Sequence, residues 1–85
     1  MVTTNRVTII VDDNAVYTDT LVYLNLDLSE CGIPQGVHAL QFKDGTGEIE
    51  WKGPIENTVI NELPEWALRC LEKWEEADNK PKPIF

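Results

Sequence analysis

Basic residues are scarce in this 85-residue chain, with seven Lys and Arg against fifteen Asp and Glu, a formal charge of −8. Binding to nucleic-acid phosphates or to an anionic membrane needs a basic face, and so few scattered cations do not supply one. Cysteine and histidine are nearly absent: there are two Cys and a single His. A zinc site would need further soft ligands, so no metal is expected, and Cys31 and Cys70, with no export signal ahead of them, read as free and reduced thiols rather than a disulfide. No apolar run approaches the roughly 18 residues of a spanning helix, and the first residues lack the regions of a signal peptide. The chain is therefore expected to be soluble and made in a cytoplasm. Its length limits it to one domain that buries only about 60% of its unfolded surface, too little for a deep multi-residue cleft.

What is present is alternation followed by one helical stripe. Val7, Thr8, Ile9, Ile10 and Val11 form a β-branched run closed by the turn residues Asp12-Asp13-Asn14, with apolar residues on both parities as in a central strand. Ala15 to Thr18 can return antiparallel. Between Leu21 and Leu28 the residues Val22, Leu24, Leu26 and Leu28 share one parity, which predicts a strand with one dry face. Ser29 to Gly36, with two glycines and a proline, breaks the ladder. The hairpin from Val37 to Gly53 then sets Leu40, Phe42, Ile49 and Trp51 on one side, with Asp44-Gly45-Thr46-Gly47 as a tight turn in which both glycines are free to take φ > 0. Ile55 to Ile60 is a candidate edge strand.

Leu63, Trp66, Ala67, Cys70, Leu71 and Trp74 fall at i, i+3, i+4, i+7, i+8 and i+11, one stripe of an α-helix. Asn61 is a suitable N-cap, so the helix is predicted from about Glu62 to about Asp78 with Pro64 in its first turn. Strands first and one helix last is an α+β order. The expected fold is a small antiparallel sheet of hairpins, about four or five strands, packed by one C-terminal amphipathic helix. Residues 1–79 form that domain and 80–85 a Pro-rich tail. The predicted core is Leu40, Phe42, Ile49, Trp51, Leu63, Trp66, Cys70 and Trp74.

Candidate chemistry is thin. Asp12-Asp13-Asn14 lacks the further oxygen ligands of a calcium loop. His38 shares parity with Leu40 and Phe42 and, without a neighbouring nucleophile, reads as a packed residue. Glu48 and Glu50 share a face, which on a hairpin serves solubility and edge protection. No catalytic residue and no cofactor is assigned. Two surface features suggest partners. Ile84 and Phe85 place large apolar side chains beyond two prolines, as docking residues do. Glu72, Glu75 and Glu76 crowd one stretch of the helix, as a solvated face or as an acidic surface that a basic partner would read like phosphates. The charge is otherwise spread: −6 over residues 1–60, −4 over 61–78 and +2 over the tail.

The run Val37-His38-Ala39-Leu40-Gln41-Phe42, then Gly47-Glu48-Ile49-Glu50-Trp51, then a Trp-containing terminal helix, resembles a group of small proteins of tailed bacteriophages and prophages. In that group an N-terminal hairpin and a D-L-S stretch, here Asp27-Leu28-Ser29, precede the V-H-A-[VL]-Q-[WF] and G-x-[IV]-E strands. The resemblance extends from about Arg6 to Lys82, and the chain departs from it at Trp51-Lys52-Gly53-Pro54 and at Ile84-Phe85. Genes of this group lie near tail-fibre genes. The resemblance implies a non-enzymatic accessory of the virion, its tail or fibre assembly, acting in the host bacterial cytoplasm or in the particle. Its partner would be a tail, fibre or capsid protein, or a second copy of itself. The alternative expectation is an acidic inhibitor of a host defence or nucleic-acid-binding enzyme.

Overall fold

The computed structural model describes residues 5–79. The Pro-rich tail with Ile84 and Phe85 lies outside the described residues. Six strands form one antiparallel sheet: β1 (Arg6–Ile10), β2 (Ala15–Tyr17), β3 (Val22–Tyr23), β4 (Val37–Lys43), β5 (Thr46–Trp51) and β6 (Thr58–Ile60). One helix, α1 (Glu65–Asn79), follows them. The spatial order is β3-β2-β1-β4-β5-β6, so β1 is central and the two shortest pieces of the periphery, β3 and β6, are its edges. The fold is a small α+β arrangement, with one strand more than the alternation alone suggests.

Register explains the core. Val16 stands opposite Tyr23 and Ile9, Ile9 opposite Leu40, Leu40 opposite Ile49, and Ile49 opposite Thr58. Residues directly opposite share a face, so this row crosses the full width of the sheet on one side. The stripe of α1 lies over it, and Ala67, Cys70, Leu71 and Trp74 form one buried cluster with Val7, Ile9, Val16, Leu40 and Ile49. Phe42, Trp51, Leu63 and Trp66 pack on the margin of that cluster and stay partly exposed. Burying a large aromatic contributes very roughly 2–3 kcal/mol, which in so small a core is a large share of the whole.

Trp74 does more than fill space. Its ring meets that of Tyr23 edge to face at a centroid distance of 5.7 Å. Its Nε1 donates to the Leu21 carbonyl at 3.2 Å, and the Tyr23 hydroxyl donates to Asp78 Oδ1 at 2.8 Å. The end of the helix is thereby fastened to β3, an edge strand of only two residues that could not hold its place by ladder bonds alone. At the opposite edge Trp51 Nε1 donates to Thr58 Oγ1 at 3.0 Å and ties β6 down.

Several local expectations are corrected. The dry face predicted for Leu21–Leu28 does not form: Val22 and Leu24 are exposed, and Tyr23, of the other parity, is the residue that turns inward. Pairing with β2 sets this, because Tyr23 must share the face of Val16. Asn25 then takes φ +57, which ends the extended run, after which Leu26 packs on the margin of the core and Leu28 is buried in it. The helix starts at Glu65, not Glu62. A residue before proline is held out of the helical region, so Leu63 cannot be helical, and the Pro64 carbonyl instead accepts the amides of Ala67 and Leu68 at 3.0 and 3.1 Å. In the hairpin the turn is Asp44-Gly45, both at positive φ (+52 and +86), as a two-residue primed turn requires. Gly47 is not left-handed. It is glycine because a Cβ there would sit 2.1 Å from the Gln41 carbonyl oxygen across the ladder.

Trp74→Ala is expected to cost about 3–5 kcal/mol and Trp74→Phe, which keeps most of the ring but loses the bond to Leu21, about 1 kcal/mol, both read from urea unfolding. Gly47→Ala should destabilise by about 1–3 kcal/mol as a backbone overlap, whereas Gly45→Asn, which tolerates the left-handed turn, should stay near the parent midpoint in the same titration.

Candidate functional site

A sheet with one helix has one face to spare. On the side away from α1 the register places Val22 opposite Tyr17, Tyr17 opposite Thr8, Thr8 opposite Gln41, Gln41 opposite Glu48, and Glu48 opposite Val59. In the next row of the same face Ala15 and Ala39 are buried and Ile10 is half-buried, whereas every residue of this row but the half-buried Thr8 is exposed. Its ends are apolar, with Val22, Tyr17 and Val59 exposed to 41, 37 and 66%, and its centre is polar. Tyr17 and Val22 adjoin one another at one edge, and Val59 stands alone at the other.

A second row sharpens the electrostatics. Arg6 pairs with Lys43, and Lys43 with Thr46, on the same face. These residues line a shallow depression of about 420 Å³ together with Thr8, Gln41 and Glu48. It continues through Arg6 and Thr8 into a smaller one of about 210 Å³ that reaches Ile10, Tyr17 and Thr18. Two cations thus stand side by side on an otherwise acidic protein. The polar centre is ordered by its own bonds: Gln41 Nε2 donates to Glu50 Oε2 at 2.6 Å. Sequence reading did not single out Thr8, Tyr17, Arg6, Lys43 or Val59 as a surface. Their signal was the parity opposite to the core residues, and it becomes legible only when the strand order is known.

The candidate partner-binding acids lie elsewhere. Glu72, Glu75 and Glu76 stand on the outer side of α1 and, with Asn79, border a depression of about 500 Å³. The structure therefore brings these three together and keeps them on the helix side, away from the cationic pair on the opposite face.

The structure also assembles one cluster that the sequence kept apart. A β-bulge between Val37 and Ala39 inserts His38 as an extra residue. The bulge shifts the alternation by one, so Val37 and Leu40 both face the core and His38, expected to pack inward, is expelled to the surface. There its Nδ1 lies 3.5 Å from Asp12 Oδ2, while Lys52 Nζ lies 3.0 Å from Asp12 Oδ1. Lys52, by hydrogen bond and charge, holds the Asp12 carboxyl below its ordinary 3.8, and His38 adds to this. The three residues tie the turn after β1 to the start of β4 and the end of β5. A His–Asp pair can orient a general base, but both thiols of the chain are buried in the core, away from it. The cluster is a surface brace, and exposed pairs of this kind contribute little to stability.

The remaining polar contacts are also structural. Ser29 donates through both its amide and its hydroxyl to Asp27 Oδ1, at 3.2 and 2.6 Å, which closes the turn before Cys31 and lowers the Asp27 pKa. Among the described residues no group of three or more His, Cys, Asp or Glu is arranged to hold a metal ion, and no helix is long and apolar enough to cross a membrane. Comparison with protein-family models, with curated proteins and with solved structures finds nothing that matches the chain.

Lys52→Met should raise the Asp12 carboxyl toward 3.8, followed by the NMR titration of its side-chain carbon. The sign follows from the depressed value: the brace is complete above pH about 4 and is lost as pH falls through the folded pKa of Asp12. An unchanged midpoint in the variant would show that Asp12 and Lys52 are not paired in solution.

Proposed function

We propose that this chain is a non-enzymatic accessory protein of a tailed bacteriophage, a component of the virion or of its tail or tail-fibre assembly, and that it works by protein–protein contact through the uncovered face of its sheet. Its partner is a tail, fibre or capsid protein or a second copy of the chain. The observation that carries this reading is the row Val22-Tyr17-Thr8-Gln41-Glu48-Val59, a full-width face with apolar ends that α1 leaves bare. The resemblance of the Val37–Phe42 and Gly47–Trp51 strands to small phage proteins supplies the biological setting. The short edge strands favour a face-on contact over strand addition, since β3 and β6 offer two and three residues to pair with.

One observation favours a second reading. Glu72, Glu75 and Glu76 border a common depression on the helix side, as an acidic inhibitor of a basic enzyme would present them. The two readings use opposite sides of the molecule and separate cleanly. In phage-producing cells, tagged protein should co-purify with identified tail, fibre or capsid proteins, or sediment as a defined oligomer. Tyr17→Asp with Val59→Asp should reduce that association at least tenfold, while Glu72→Lys, Glu75→Lys and Glu76→Lys together leave it intact. The reverse pattern, with binding that weakens steeply as salt rises, assigns the chain to the inhibitor class instead.

A further inference from the structure

The sequence separates Cys31 from Cys70 by about 40 residues, one in a turn and one in the middle of α1, and the fold brings them together. Both are buried, to 1 and 0% exposure, in the same cluster, near enough for Cys31 to act directly on the Cys70 thiol. The side chain of Arg69, next to Cys70, also reaches the turn. A Cβ built on Gly32, next to Cys31, would lie 3.4 Å from the guanidinium of Arg69, next to Cys70. The turn is held in place by the Cys31 amide, which donates to the Leu28 carbonyl at 3.1 Å, and by Leu28 itself, buried in the core.

We propose that Cys31 and Cys70 are a disulfide-forming site: exposed to a small-molecule disulfide, the folded chain closes an internal Cys31–Cys70 bond that clamps the turn 28–33 onto α1. Nothing in this depends on the partner proposed above.

The order of events follows from where each thiol sits. Cys70 is locked into the middle of a helix, whereas Cys31 lies in a turn whose next residue, Gly32, is exposed, so a local opening of the turn brings Cys31 to solvent first. Burial, with Cys31 beside it, pushes the Cys70 thiol far above its usual range, which makes Cys70 the wrong group to start the exchange. The Cys31 thiolate attacks one sulfur of the small disulfide, forming a mixed disulfide and expelling one small thiolate. Cys70 then gives up its proton and attacks the Cys31 sulfur, and the second small thiolate leaves. The chain loses two hydrogens and two electrons, and the small disulfide is reduced to two thiols. Closing a loop of this length restricts the unfolded chain, so the oxidised form should be the more stable one.

The test incubates the folded, reduced whole chain with oxidised glutathione, then unfolds it in guanidinium with an alkylating reagent and weighs it intact. The expected product is a monomer lighter by two hydrogens, with no free thiol and no glutathione attached, returned to the reduced mass by dithiothreitol. Its thermal midpoint should rise by about 10 °C over the reduced chain. A product that carries glutathione on either cysteine, keeps two alkylatable thiols, or is a disulfide-linked dimer would overturn the proposal, as would a lower midpoint. In Cys31→Ala the oxidant should leave the midpoint unchanged, and a rise there would also overturn it. Should that variant not fold, the mass and midpoint of the parent chain decide the question alone.

Discussion

Among the described residues one α-helix covers the six-stranded sheet, and the contact that makes the cover hold is Trp74. The ring lies in the core, its edge meets Tyr23, and its indole N–H reaches back to the Leu21 carbonyl. One side chain therefore satisfies three needs at once. It supplies apolar area to a small core, it gives the two-residue strand β3 a reason to stay, and it sets where along the sheet the helix ends. The Tyr23 hydroxyl on Asp78 closes the same corner from the other side. A buried indole must find an acceptor for its N–H, and here that requirement is what joins the last element of the chain to an edge strand far away in sequence.

Covering one face decides the character of the other. With α1 committed to the row through Ile9 and Leu40, the alternate row is left bare, and it has apolar residues at its ends with Arg6 and Lys43 near its middle. The acidic residues of α1 lie on the far side. Acids stand on both sides, Glu48 and Glu50 on the sheet and Glu72, Glu75 and Glu76 on the helix, and the sheet side adds the local pair of cations Arg6 and Lys43. The short edges discourage the chain from extending its own sheet into an aggregate.

The candidate site was only partly legible beforehand. The helix stripe from Leu63 to Trp74 and the Val37–Gly53 hairpin are strong local signals, because a 3.6-residue period and an Asp-Gly turn between alternating runs have few competing interpretations. The acids Glu72, Glu75 and Glu76 were visible for the same reason, since their spacing on a helix is local. His38 was not. A single inserted residue reverses parity, and no pattern within the strand announces a bulge that exists to let Val37 and Leu40 both reach the core. Tyr23 was misplaced for a related reason: a two-residue strand carries too little pattern of its own, and its partner strand chose which of its residues turned inward.

The sequence by itself determined the order of elements, the turn at Asp44-Gly45, the apolar stripe of the helix and the scarcity of basic residues, because each depends on neighbours within a few positions. The tertiary structure alone decided which strands lie side by side, which parity of each strand faces α1, and therefore which residues form the bare face. It also decided that Cys31 and Cys70 share one pocket of the core, and that Asp12, His38 and Lys52 meet at the surface. These are pairings between residues distant along the chain, and their energy exists only once the intervening loops have closed.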